Sequence, residues 1–201
     1  MPAKNTIRNY DVPAFYHVYN RGAGKQVIFH DDIDREKFLS LFARYLDPSD
    51  DSVRADGLLY AKYDLDVVAY CLMDNHFHLL LYQDSDPSAI SQFMKSTLTA
   101  YTMYYNMRHK ASGHLFQGAF KASQITSDEY LLHITRYIHM NPRSYMRYKW
   151  SSIASYLGGE VPSWLYPDRI LAMKPAEYKQ FLQDYEGRRA ELKVLKDQLA
   201  G

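Results

Sequence analysis

The chain has 201 residues, 47% of them hydrophobic, with 24 Lys plus Arg against 23 Asp plus Glu and one cysteine. That length and apolar content suit one domain with a real core and exclude a disordered composition, while the lone Cys71 excludes an internal disulfide framework and a cysteine-built zinc site. A net charge of +1 excludes a broad basic face, so any nucleic-acid surface has to be local.

The N-terminal stretch MPAKNTIRNYDVP has no apolar run and does not read as a secretory signal, and nothing approaches a membrane span. The expected compartment is the cytoplasm, with no membrane partner. Residues 14–20 read as a first strand, Phe15, His17 and Tyr19 alternating with Tyr16 and Val18. The glycine turn RGAGK follows. It is not a phosphate loop, because Tyr19 and Gln26 stand where that motif needs Gly and Ser or Thr, so no nucleotide cofactor is expected.

Phe38, Leu41, Phe42 and Tyr45 recur at helical spacing and predict a helix over 32–46, and 47–57 reads as loop. A Val-rich run over 64–73, a turn at Asp74 and Asn75, and a return run over 76–82 predict a hairpin. Asp86 and Pro87 look like the cap and first residue of a helix with the stripe Ile90, Phe93, Met94, Thr97, Leu98 and Tyr101. Residues 115–126 read as a fourth strand. Ser127 caps a further helix, with Asp128 and Glu129 in its first turn, running to about Asn141 before Pro142. A short helix over 150–158 and a charged one over 175–199, which could dock or project, complete the chain. The order β-α-β-β-α-β plus an extra helix predicts an α+β, ferredoxin-like antiparallel sheet with two helices on one face. The extra helix is a candidate to cover the other.

His76 and His78 flank Phe77 on a strand, so the two imidazoles share a face and can hold one divalent cation. By itself, such a pair is more often two strand histidines without a metal. Tyr137 and Asn141 lie four apart at the margin of the helix stripe Leu131, Ile134, Ile138. The Asn141 amide is either a third ligand at a helix C-terminus or simply a cap before Pro142. His133 shares that face as a candidate neighbour. Basic residues cluster at Arg143, Arg147 and Lys149, with Arg136 upstream, and at Arg108, His109 and Lys110. Either cluster alone reads first as a solvated face. Nineteen tyrosines offer stacking surfaces for unpaired bases.

The stretches MDNHFHLLL, GHLFQGAFK and YIHMNP, in that order and spacing, resemble the IS200-like tyrosine transposases of the HUH endonuclease superfamily, closest to the branch associated with repetitive extragenic palindromic (REP) elements. The resemblance covers residues 12–158 and leaves 159–201 as a helical extension. It implies a transposase that nicks and rejoins single-stranded, hairpin-containing DNA through a 5′-phosphotyrosine link. In it Tyr137 matches the nucleophile, and His76, His78 and Asn141 match the ligands of Mg²⁺ or Mn²⁺. Phe116, Gln117 and Lys121 match a segment suited to DNA contact, and Arg143, Arg147 and Lys149 are placed to touch a hairpin backbone. Asp74 and Ala119 depart from the family's usual Pro and Arg, and Ala119 puts the standard DNA contact of that segment in question. Some members pair one subunit's histidines with another's tyrosine, whereas the REP branch acts as monomers, so monomer and homodimer both stand. The alternatives are a domesticated hairpin-binding protein without catalysis and a metal hydrolase that activates water.

Overall fold

A computed structural model describes residues 10–170 and 173–186. Its elements are β1 (Ala14–Arg21), α1 (Asp32–Leu46), β2 (Asp66–Met73), β3 (His76–Gln83), α2 (Ala89–His109), β4 (Lys121–Ile125), α3 (Asp128–His139), α4 (Ile153–Tyr156) and α5 (Pro175–Gln183). The four strands form one antiparallel sheet in the order β2-β3-β1-β4. This is the expected ferredoxin-like topology.

Strand alternation divides the core into two layers. On β3, Phe77, Leu79 and Leu81 pack with Phe38, Leu41 and Phe42 of α1 and Ile90, Phe93 and Tyr101 of α2. On the other face, Leu80, Val68, Ala69 and Cys71 pack with Leu131, Ile134 and Ile138 of α3 and with α4 and α5. Phe77 is fully buried, with its ring 5.2 Å from Phe38. Its truncation to Ala would cost about 3–5 kcal/mol. That burial turns the two flanking histidines to the opposite face, towards α3.

Local chemistry sets the ends of the helices. The Asp31 carboxylate accepts the Asp34 N–H at 3.1 Å and starts α1. The Ser127 hydroxyl accepts the Tyr130 N–H at 3.3 Å and starts α3, whose first turn carries Asp128 and Glu129.

Three boundaries differ from expectation. Helix α2 begins at Ala89, not at Pro87, because the Asp86 carboxylate accepts the Ser88 N–H (2.8 Å) and hydroxyl (2.6 Å) and closes a turn first. The fourth strand is only Lys121–Ile125: upstream the chain bends across the end of β1, with Gln117 N–H donating to the Arg21 carbonyl (2.9 Å) and Asn20 Nδ2 to the Gly118 carbonyl (3.1 Å). Helix α3 ends at His139, so Asn141 lies just beyond its last turn. The described part of the C-terminal region docks, with Tyr178 and Leu182 fully buried; α5 closes at Gln183, short of the helix expected to 199, and residues 187–199 lie outside the described residues. Among the described residues no helix is long and apolar enough to cross a membrane.

Candidate active site

Antiparallel pairing sets Tyr19 opposite His78 and Arg21 opposite His76, so the ends of β1 and β3 form one platform. Helix α3 lies across it. The Tyr137 hydroxyl comes within 3.5 Å of His78 Nε2, and the two rings meet edge to face at 5.2 Å. His76 Nε2 lies 3.3 Å from the Asn141 amide oxygen. The four residues singled out in the sequence therefore converge, and they do so within one chain.

The donor set favours a cation between His76 and Asn141. A neutral imidazole carries one N–H. His76 Nδ1 lies 2.7 Å from the Asn75 side-chain oxygen, which can only accept, so the hydrogen belongs there. Nε2 then presents a lone pair towards a second amide oxygen. Two lone pairs aimed at one point repel, and a cation between them removes the conflict. Two ligands of one octahedral Mg²⁺ or Mn²⁺ stand about 3 Å apart, close to the separation found. Asn75 supplies an outer hydrogen bond of the kind that would orient His76 as a ligand, should a cation bind there. Among the described residues no three His, Cys, Asp or Glu groups cluster as a cage, so the set is two imidazoles and one amide. That leaves positions for water and phosphate oxygens.

His17, on β1, was not foreseen as a site residue. It is fully buried, and its Nε2 lies 2.9 Å from His78 Nδ1. Burial holds its pKa down to about 3, so it is neutral near pH 7 and can accept a hydrogen bond from His78 Nδ1. When His78 is the donor of this pair, its Nε2 is a lone pair on the site side. The signal was available: His17 has the same strand parity as Tyr19, and pairing of β1 with β3 brings that face to the histidine pair.

Burial also raises the Tyr137 pKa well above the usual phenol value, and a hydrogen bond with Asn141 offsets only part of this. Tyr137 is only 4% exposed. As it stands, this phenol resists ionisation, so it needs positive charge nearby to become a nucleophile.

The other expected residues divide. Phe116 is buried beside Phe77 and Tyr101 and serves the core. Gln117 is exposed and accepts from Arg21 Nε. The Lys121 ammonium lies 5.8 Å from the Tyr19 ring centroid, at the edge of the platform. Arg143 and Arg147 are exposed. Lys149 is exposed but pairs with Asp32 (3.1 Å) and Glu36 (3.9 Å). Arg136 departs from the basic surface read in the sequence: it is buried, with its guanidinium 3.6 Å from the Phe181 ring centroid and 4.2 Å from that of Tyr185. Arg108 and His109 are engaged by Asp31 and Asp34. His133 faces Glu129 at 3.8 Å, and its ring stands 6.3 Å from that of Tyr185.

Residues 58–141 match the family model described as "Transposase IS200 like". That span contains His76, His78, Tyr137 and Asn141, and it bears out the resemblance read from the sequence motifs. Among solved structures, the REP-associated tyrosine transposase bound to a REP hairpin superposes with a TM-score of 0.54, at 12% identity over 85% of this chain and 95% of that one. At that identity the likeness is one of fold. A putative transposase from Deinococcus radiodurans aligns more loosely, with a TM-score of 0.39 and 17% identity over 67% of this chain and 95% of that one. No curated protein matches the chain.

Proposed function

We propose that this chain, an IS200-like transposase by its family match and fold, is a divalent-metal-dependent nicking and strand-transfer enzyme for single-stranded, hairpin-containing DNA. The observation that carries the reading is the meeting of buried Tyr137 and His78 with half-buried His76 and Asn141. The hairpin is suggested by the fold relative, whose bound DNA is a REP hairpin.

Tyr137 is the nucleophile. Its oxygen bonds to a backbone phosphorus, the bond from phosphorus to the 3′-oxygen breaks, and the phenolic proton is balanced by the one the 3′-hydroxyl gains. The product is a 5′-phosphotyrosine, and a second 3′-hydroxyl reverses the exchange on a new strand, so joining needs no nucleotide cofactor. His76, His78 and Asn141 hold the cation, Mg²⁺ or Mn²⁺. When bound, it supplies positive charge that polarises the phosphate and stabilises the phenolate. Asn75 and His17 fix the two imidazoles from behind. Arg143, Arg147, Gln117 and Lys121 are assigned to the DNA backbone near the platform.

The decisive experiment is a denaturing gel of purified protein with labelled hairpin oligonucleotides from the gene's flanks and Mn²⁺, beside Tyr137→Phe. A covalent band that vanishes in the variant and with chelator is expected. Cleavage that survives in Tyr137→Phe would replace the reading with a water-activating hydrolase. Hairpin binding without any adduct would replace it with a domesticated binder.

A further inference from the structure

On the sheet face opposite Tyr137, a cleft of about 810 Å³ opens between α1, α2 and the segment that joins α1 to β2. Arg44, Arg54 and Lys95 line it together with Tyr45, Tyr60 and Tyr63, and no carboxylate does. The lining itself is cationic, while the aspartates of the joining segment stand around it, Asp50 near enough to Arg44 to feel its charge. Arg54 is paired, with Asp56 at 2.8 Å, but both partners are about half exposed and such a pair yields easily. The Arg44 guanidinium lies 4.4 Å from the Tyr60 ring centroid, which makes a joint cationic and aromatic surface. The cleft floor is firm: the Tyr63 hydroxyl bonds Ser96 at 2.7 Å, and Tyr45 stands 5.9 Å from both Tyr60 and Tyr63.

We propose that this cleft is a second binding site for single-stranded DNA, taking a short run of nucleotides with phosphates on Arg44, Arg54 and Lys95 and a base against Tyr60. The chemistry is that of sequence-tolerant strand binding, in which cations track the backbone and aromatic rings receive the bases. The inference rests on the DNA reading above. The cleft is remote from the catalytic platform. The chain before α1 is tied to the platform end of the sheet, where the Ile28 N–H donates to the Asp74 carbonyl at 2.8 Å. Arg44 lies twelve residues along α1 from Asp32, roughly 18 Å at the helical rise. The cleft therefore holds strand that the nucleophile does not touch.

The test uses the full chain and a fluorescein-labelled, mixed-sequence single strand, with anisotropy measured over a range of salt. Arg44→Gln with Lys95→Gln removes two phosphate contacts, so the slope of log affinity against log salt should shallow by about 1.4. Photo-crosslinking of an iodouracil-substituted strand to the unmodified protein is the second measurement, and it does not depend on a variant's folding. The expected crosslink maps to the peptide containing Tyr60. An unchanged slope, or crosslinks confined to the Tyr19 and Tyr137 platform, would overturn the cleft while leaving the DNA reading intact. A parent protein that binds no single strand at any salt would sink both.

Discussion

The pair His17–His78 shows how much one hydrogen decides at this site. With His17 neutral, His78 can donate from Nδ1 and keep Nε2 as a lone pair; without it, Nδ1 loses its buried partner and the ring can turn or switch tautomer. His17→Ala should weaken Mn²⁺ binding roughly 10- to 100-fold. Calorimetric titration in the absence of DNA would read this, and His17→Gln should recover part of the loss. Parent-like affinity in His17→Ala would end its positioning role. At this scale the sequence was legible where a residue's spacing stated its partner. His76 with His78 and Tyr137 with Asn141 could be read because each pair sits on one element. His17 could not, because its partner lies on another strand and only register brings them together. Arg136 was read with the basic surface for a related reason: a cation beside other basic residues looks exposed until tertiary packing buries it.

Among the elements, the turn after β1 and the helix that carries Tyr137 are the most exacting. The Gly22 N–H donates to the Asn75 carbonyl at 2.9 Å, one residue before His76. A Cβ at Gly22 would sit 2.2 Å from the Gln26 backbone oxygen. Gly22→Ala must therefore open the turn. It should cost about 1–3 kcal/mol of stability, as overpacking does, and should lower metal affinity by shifting the β2–β3 turn. Denaturant melts with and without Mn²⁺ check both, and a variant as stable as the parent would show that the turn has slack.

Helix α3 is held through His139, whose Nδ1 lies 2.7 Å from the Tyr178 hydroxyl and whose Nε2 lies 2.7 Å from the Ser152 hydroxyl. Burial pushes its pKa down to about 3 from the usual 6.5. Between those values the unfolded chain takes up a proton that the folded chain refuses, so stability falls as pH drops from about 6.5 towards 3 and is level above. Melting temperature against pH should show that slope, and His139→Gln should lessen it, leaving the share that buried His17 contributes over the same range. The strands and helices were legible from their periodicity. Their ends were less so, since the Asp86 turn and the bend at 115–120 are local hydrogen-bonding choices that apolar spacing does not record.

For the whole molecule, the arrangement of layers brings the candidate residues of one copy together. The histidines come from the sheet and the tyrosine from the helix on its second face, and both belong to the same copy. Mixing His76→Ala/His78→Ala protein with Tyr137→Phe protein should therefore restore no adduct formation. Recovered activity in the mixture would mean that subunits exchange their tyrosine helices. The two-layered sheet was foreseen from element order, and so was the candidate to fill its open face. The docking of α5 was left open, because a charged amphipathic stretch at the end of a chain is compatible with solvent or with a groove.

That docking gives the tyrosine a different kind of support from the histidines. The imidazoles are set by strand register, which moves in whole-residue steps or not at all. Tyr137 is set by how α3 packs onto the sheet, and behind that helix Phe181 and Tyr185 clasp Arg136 on the neighbouring position. One half of the site is thus indexed like a ratchet and the other adjusted like a set-screw. If Tyr137 and the histidine pair act as proposed, changes around Phe181 and Tyr185 would shift the reach of the tyrosine while leaving the imidazoles in register.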